Sequence, residues 1–209
     1  MRSVYNRLAG QNHHRLEALS DGVFAVAMTL LVLDLHAPAR DAIHSERDLI
    51  AALTLLAPNL MVYGLSFLTL GIFWVGQQTQ LNQLARADRD VTWIHLAFLC
   101  AVTLLPFVTG LMAAFIQFRI ALILYWANTF ALGALLYLSW NRATRNNLLR
   151  DDIDPEYTTG IERRILRAQA LYLVLLLFGL WHPPWGLAGT IIVQLNYALA
   201  PRNRWLQRL

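Results

Sequence analysis

Three residues that can carry charge or form strong hydrogen bonds stand at the start of an apolar segment. Arg15, Ser20 and Asp21 precede an uncharged run from Gly22 to Leu33. Charged groups at membrane depth are costly, and they usually face protein or water. In a helix Arg15 and Asp21 lie about 120° apart, so we expect each to find its partners on other helices.

Several polar residues in later segments are candidate partners: Gln77, Gln78, Asn82, His95 and Asn128. Such a set allows two interpretations. One is a buried polar clamp that fixes how helices pack, and the other is a proton or ion relay. The residues taken alone favour the clamp and leave the relay open.

A second pattern shares the same segment. Its residues follow the spacing of one helical face: Gly22, Val26, Thr29, Leu30 and Leu33. Periodicity alone favours an ordinary packing stripe over the lining of a pore. The hydroxyl of Thr29 is suited to face water or ions, but it can equally bond to a carbonyl one turn earlier.

The composition places this segment in a membrane protein. Of 209 residues, 57% are hydrophobic and only 14% are charged, whereas soluble domains average about 25% charged residues. This excludes intrinsic disorder and argues against an ordinary soluble enzyme. No metal triad, nucleophile elbow or usable carboxylate pair occurs, and the single Cys100 lies in an apolar run. We therefore predict no enzyme activity, no resident metal and no cofactor.

Apolar blocks bounded by charges or turn residues predict the architecture. An all-α integral membrane protein is expected, with one transmembrane domain covering residues 1–209 and six transmembrane helices. The predicted helices are 16–35, 49–75, 91–115, 118–140, 165–180 and 185–199.

The arginines predict the orientation of the chain. All 17 basic residues are arginine, and they lie between the apolar blocks rather than along one polar face, which argues against a nucleic-acid partner. Three lie in the N-terminal tail, two in the second connection, six around the fourth and three in the C-terminal tail, against three on the opposite side. The positive-inside rule then places both termini in the cytoplasm of a multi-pass protein of the bacterial plasma membrane.

The first helix resembles a known family. Arg15, Leu19, Ser20 and Asp21 match the signature Arg-x-x-x-Phe-Ser-Asp, and Thr29-Leu30-Leu31-Val32-Leu33 matches the run that follows it. Further matches follow in the next two helices: Tyr63, Ser66, Phe67, Trp74, Leu105-Pro106-Phe107 and Thr109. These residues resemble the transmembrane protein 175 family of lysosomal and prokaryotic potassium channels. Leu19, Gln77, Gln78 and His95 depart from the family's usual residues.

The resemblance implies a function. It implies a homotetramer in the lipid bilayer in which helix 1 of each subunit lines a central potassium pore, with a modest preference for potassium over sodium. Hydrophobic layers then fall on Val26, Leu30 and Leu33, with Thr29 as a hydroxyl layer. The only metal involved is potassium in transit. The polar network implied on helix 1 and its neighbours comprises Arg15, Ser20, Asp21, Trp74, Gln77 and His95.

Two questions stay open at the level of sequence. The alternative function is a proton-coupled secondary transporter that uses Asp21, Arg15 and His95 as its relay. Asp34 and Asp41, near the outer end of the first helix, either concentrate cations at a pore mouth or are solvated loop charges. The chain contains no Thr-Val-Gly-Tyr-Gly carbonyl filter, so any selectivity must come from partial dehydration of the ion.

Overall fold

The computed structural model describes residues 13–181 and 183–199. Within them the chain folds into seven α-helices and two short 3₁₀ segments, Leu31–Asp34 and Arg40–Ala42. The α-helices are α1 (His13–Leu30), α2 (Glu46–Leu55), α3 (Ala57–Leu81), α4 (Arg89–Ala114), α5 (Arg119–Arg145), α6 (Pro155–Trp181) and α7 (Pro183–Leu199).

Membrane-length helices make up most of the described chain. Five segments are long and apolar enough to cross a bilayer: His14–Asp34, Ala57–Leu81, Arg89–Ala114, Arg119–Arg145 and Pro155–Trp181. An all-α fold with several such helices is therefore confirmed. Helix α7 has 17 residues, about 26 Å at 1.5 Å per residue and slightly short of the hydrocarbon core. The count of six spans stays a prediction. So do the cytoplasmic termini, which lie outside the described residues.

The predicted block 49–75 is two helices rather than one. Ser45 caps α2, because its hydroxyl accepts a hydrogen bond from the amide of Asp48 (3.2 Å). The helix ends at Leu55, and α3 begins at Ala57 with Pro58 in its first turn. Proline has no N–H to continue the earlier helix, so the chain starts a new one there. At its other end, α3 extends to Leu81, six residues beyond the predicted end at residue 75.

The predicted polar connection between residues 141 and 164 is also shorter than expected. Helix α5 continues to Arg145, and α6 begins at Pro155. Asp154 starts α6, since its carboxylate accepts from the amide of Glu156 (2.8 Å). The extension packs against α5 through a 2.8 Å hydrogen bond from Tyr137 to Glu162. Tertiary contacts therefore keep these polar residues helical.

The connection after α3 and the connection after α5 lie side by side. The amide of Ala85 donates to the carbonyl of Leu148 (2.9 Å), and that of Arg150 donates to the carbonyl of Gln83 (3.0 Å). Asn147 has a positive φ of 52°, which closes α5 in a left-handed C-terminal turn. The two arginine-rich connections therefore lie at the same end of the bundle, as the predicted topology requires.

Aromatic side chains fill the core beside α1. The ring of Phe24 lies 6.0 Å from that of Phe98 in α4, and Phe73 of α3 lies 6.4 Å from the same ring. These spacings are typical of favourable aromatic pairs. Helix α1 is thus packed against both α3 and α4, which fixes the face that it turns away from its own subunit.

Candidate functional site

Helix α1 has one buried and one exposed apolar face. Phe24 and Leu31 are each only 1% exposed and belong to the core. Val26, Leu30 and Leu33 are 58%, 42% and 65% exposed. A soluble protein would bury such a stripe, so this face is available to lipid, to water or to another protein chain.

Thr29 lies on the exposed face and is bonded within its own helix. Its hydroxyl donates to the carbonyl of Val26 at 2.8 Å. A threonine hydroxyl has one hydrogen and two acceptor lone pairs. The hydrogen is engaged by the backbone, so only acceptor capacity faces outward, which is the polarity that attracts a cation.

The helix tightens at its C-terminal end. Leu31–Asp34 form a 3₁₀ segment rather than a continued α-helix. With 3.0 residues per turn, side chains three residues apart lie nearly one above the other. Leu33 consequently returns to the face of Leu30. The sequence predicts that Leu30 and Leu33 share a face of an α-helix with 3.6 residues per turn. The 3₁₀ winding observed here aligns them more closely.

Ser20 is the centre of a buried network. Its hydroxyl donates to the carbonyl of Leu16 (2.7 Å) and lies 2.7 Å from Nε2 of His95. It also accepts a hydrogen bond from the side-chain nitrogen Nε2 of Gln77 (3.1 Å). Because the only hydrogen of the hydroxyl goes to Leu16, the contact with His95 requires the proton on Nε2. The serine oxygen then donates once and accepts twice, which satisfies it completely.

Asp21 is held by two neutral donors from α3. Nε1 of Trp74 donates to Oδ1 of Asp21 at 2.9 Å, and Nε2 of Gln78 donates to the same oxygen at 2.7 Å. Hydrogen bonds to a carboxylate are stronger than those between neutral groups. The structure therefore brings Ser20, Asp21, Trp74, Gln77 and His95 together at the contact of α1 with α3 and α4.

Three of the residues considered from sequence stand apart from this network. Arg15 is exposed and forms no hydrogen bond or ion pair within the described part of the chain. Asn82 is the C-cap of α3, where its backbone N–H donates to the carbonyls of Gln78 and Gln80. Asn128 is buried in α5, and its side-chain nitrogen lacks a partner among residues 13–181 and 183–199. Gln78 does bind Asp21, although no sequence feature distinguishes it from Asn82 as a candidate partner.

An open apolar groove of about 420 Å³ runs beside the exposed face. Its walls come from α1 and from one residue of α4: Ala18, Leu19, Gly22, Val23, Val26, Ala27, Leu30 and Thr103. The residues that the structure describes form no cluster of three or more His, Cys, Asp or Glu side chains suited to a metal ion. The site therefore has the character of an apolar surface beside a polar network.

The helices that form this site are matched in known proteins. Residues 15–106, from α1 through most of α4, match the family described as the endosomal/lysosomal potassium channel TMEM175. A potassium channel of Chamaesiphon minutus is 31% identical over 164 residues, which cover 77% of this chain and 80% of the relative. A potassium channel of Streptomyces collinus is 33% identical over 141 residues, 66% of this chain and 67% of the relative.

The fold agrees as well. The crystal structure of a lysosomal potassium-selective channel TMEM175 homolog from Chamaesiphon minutus superposes with a TM-score of 0.79. The match has 25% sequence identity and covers 91% of this chain and 98% of that structure. With the membrane-length helices, these matches identify a multi-pass membrane protein of a channel family rather than of an enzyme family. The resemblance inferred from the first helix is confirmed, and the chain belongs to the TMEM175 family.

Proposed function

We propose that this chain forms a cation channel with a modest preference for potassium over sodium. Helix α1 of each subunit of a homo-oligomer, four copies by resemblance, would line a central pore. The observation that carries this proposal is the exposed apolar face of α1 and of the 3₁₀ segment that continues it, formed by Val26, Leu30 and Leu33. The names of the two bacterial relatives support potassium as the ion.

The composition of this face favours a pore over contact with lipid. Arg15, Gly22 and Thr29 follow one another at intervals of seven residues, so they share the side that carries the stripe. A charge, a glycine and a hydroxyl suit water or a neighbouring backbone better than hydrocarbon. At Gly22 the space that a side chain would fill is open, which leaves room for a neighbouring helix.

Selectivity in such a pore would arise from dehydration. Apolar rings supply no oxygen ligands to replace the water around an ion, in contrast to a carbonyl filter. Potassium holds its water less tightly than sodium and would cross a narrow ring at a lower cost. Leu30 and Leu33 would form the narrow rings, and loss of water between them would close the pore. The oxygen of Thr29 would favour cations beside these rings.

Flux through reconstituted vesicles tests this function. Purified protein in liposomes with an outward potassium gradient should release potassium faster than sodium in a matched gradient, and a membrane potential should develop without any proton gradient. Protein-free vesicles are the control. No cation flux would contradict the channel. Saturable flux that requires a proton gradient would instead favour the transporter that uses Asp21, Arg15 and His95.

A further inference from the structure

A second buried polar network lies on helices other than α1. Its centre is Thr69 of α3, whose hydroxyl donates to the carbonyl of Leu65 (2.9 Å) and lies 3.0 Å from the hydroxyl of Tyr125 in α5. Nε2 of Gln194 in α7 donates to the same oxygen at 2.6 Å. Because the hydrogen of Thr69 goes to Leu65, the hydroxyl of Tyr125 must donate. The threonine oxygen then donates once and accepts twice, which satisfies it completely.

The amide of Gln194 keeps one polar atom without a partner. The residue is 0% exposed, and its Oε1 has no hydrogen-bond partner among residues 13–181 and 183–199. Turning the amide over, so that oxygen and nitrogen exchange places, would leave the nitrogen without a partner instead. A buried amide atom with no hydrogen bond is costly. A small polar ligand at this atom would remove that cost.

Two more such atoms lie further along the contact of α6 with α7. These helices run antiparallel, with their backbones in contact near their junction. Tyr172 of α6 lies beside Gln194. About one turn from this pair, Oε1 of Gln169 in α6 and the hydroxyl of Tyr197 in α7 are buried and have no partner within the described part of the chain. The guanidinium of Arg164 lies 5.7 Å from the ring centre of Tyr197. We call this line of polar residues, from Gln194 to Arg164, the α6–α7 seam.

We propose that the α6–α7 seam binds ordered water, which enters beside Arg164 and reaches Oε1 of Gln194. A water molecule can donate two hydrogen bonds and accept two, so it suits amide oxygens and a tyrosine hydroxyl alike. Buried waters typically form about three hydrogen bonds to such groups. Only two of the 27 residues of α6 are buried, so this helix is loosely packed and leaves water a way in. The seam does not involve the face of α1 that is proposed to line the pore.

The chemistry of the seam favours water over an ion. The amide oxygens of Gln169 and Gln194 would repel an anion. Arg164 and Arg167 both interact electrostatically with Tyr197 at the entrance, so a cation entering there would meet two like charges. A neutral molecule that donates and accepts hydrogen bonds fits all of these groups.

X-ray radiolytic footprinting of the wild-type protein in lipid nanodiscs tests this site. X-rays convert water into hydroxyl radicals, which oxidise the side chains that touch that water, and mass spectrometry measures the rate at each residue. Tyr172 and Tyr125 are matched probes, because both are tyrosines and they are only 4% and 1% exposed. We expect Tyr172 to be oxidised several times faster than Tyr125. Equal rates would overturn the inference.

Gln194→Leu removes the atom to which the water is proposed to bind. We expect it to lower the oxidation rate of Tyr172 toward that of Tyr125. Thr129→Val is the control, because it removes a buried hydroxyl that bonds a carbonyl of its own helix, and it should leave the rate at Tyr172 unchanged. A folded Gln194→Leu variant with the wild-type rate at Tyr172 would overturn the inference. If this variant does not fold, the comparison of the two tyrosines in the wild type decides. None of these results depends on ion conduction.

Discussion

The indole of Trp74 donates a hydrogen bond to the carboxylate of Asp21 at 2.9 Å and thereby joins α1 to α3. The second donor to this oxygen, Gln78, stands one helical turn further along α3. Two donors from α3 to one carboxylate constrain both the rotation of α1 about its axis and its axial position relative to α3. The orientation of the proposed pore face would follow from this contact, and we therefore predict that the network acts as a clamp between α1 and α3.

Removing the carboxylate should loosen α1. We expect Asp21→Ala to lower the melting temperature, because the donors on Trp74 and Gln78 lose a charged acceptor. Asp21 and Trp74 are exposed, so water can partly replace this acceptor and the loss should be smaller than for a buried network residue. Thermal denaturation in mild detergent measures this change. Asp41→Ala, in the exposed 3₁₀ segment Arg40–Ala42, is the control and should melt like the wild type. Equal melting of the two variants would argue against the clamp.

The serine at the centre of the buried network should matter for a similar reason. Ser20→Ala leaves Nε2 of His95 and the amide of Gln77 without their acceptor in a fully buried position. We expect a loss of about 1–3 kcal/mol in stability. Thr79→Val removes an exposed hydroxyl that bonds only within its own helix and is the matched control. A stability of Ser20→Ala equal to that of the control would show that the network contributes little.

Assembly is the third expectation. A single copy of α1 cannot enclose an ion path, so the protein should be a closed symmetric homo-oligomer, with four copies expected from the family resemblance. Native mass spectrometry in mild detergent, supported by chemical cross-linking in the membrane, gives the number of subunits. A population that is monomeric by both methods would contradict the proposed pore.

The hydroxyl of Thr29 gives a fourth expectation. Thr29→Val keeps the shape of the side chain and removes the exposed oxygen, so the preference for cations over chloride should decrease while stability changes little. The reversal potential in a KCl gradient measures this preference. Thr54→Val, in the exposed helix α2, removes a hydroxyl that bonds a carbonyl in the same way and should leave the reversal potential unchanged.

The sequence was most informative about α1. The two faces of this helix follow from the spacing of its residues. Residues that recur with the 3.6-residue period of an α-helix lie on the same face, and the residues between them lie on the other. Gln77, Gln78 and His95 are among the polar candidates that the sequence offers as partners of Ser20 and Asp21, since few polar groups exist in the apolar blocks. Trp74, the other partner of Asp21, enters only through the family resemblance. Choosing Gln78 over Asn82 required the three-dimensional register of α3 against α1, which no local pattern contains.

Other features depended on tertiary contacts. The helical start of α6 at Pro155 reflects packing of polar residues on α5, and hydropathy does not detect such contacts. The carboxylate of Asp34 lies against Gly110 of α4, and these two residues are far apart in the chain. A glycine in an apolar helix is a weak sign of close approach, and nothing near Gly110 in the sequence indicates that the approaching group is a carboxylate.

Leu30 and Leu31 provide the sharpest comparison, because these neighbours lie about 100–120° apart, one on the exposed face and one on the core face of the first helical segment. Leu31 is 1% exposed and contributes to the core. Leu31→Ala should therefore cost about 2–5 kcal/mol in stability and leave ion selectivity unchanged. Leu30 is 42% exposed, so Leu30→Ala should change stability less. It would widen the proposed ring and let sodium pass with more of its water, as would Leu33→Ala.

The reversal potential under mixed potassium and sodium conditions tests this assignment most directly. Wild type and the three alanine variants would be recorded in the same bilayer with potassium on one side and sodium on the other. We expect Leu30→Ala and Leu33→Ala to move the reversal potential toward zero and to raise conductance, while Leu31→Ala keeps the wild-type value. A shift in Leu31→Ala with wild-type values in the other two variants would mean that α1 turns a different face to the ion path.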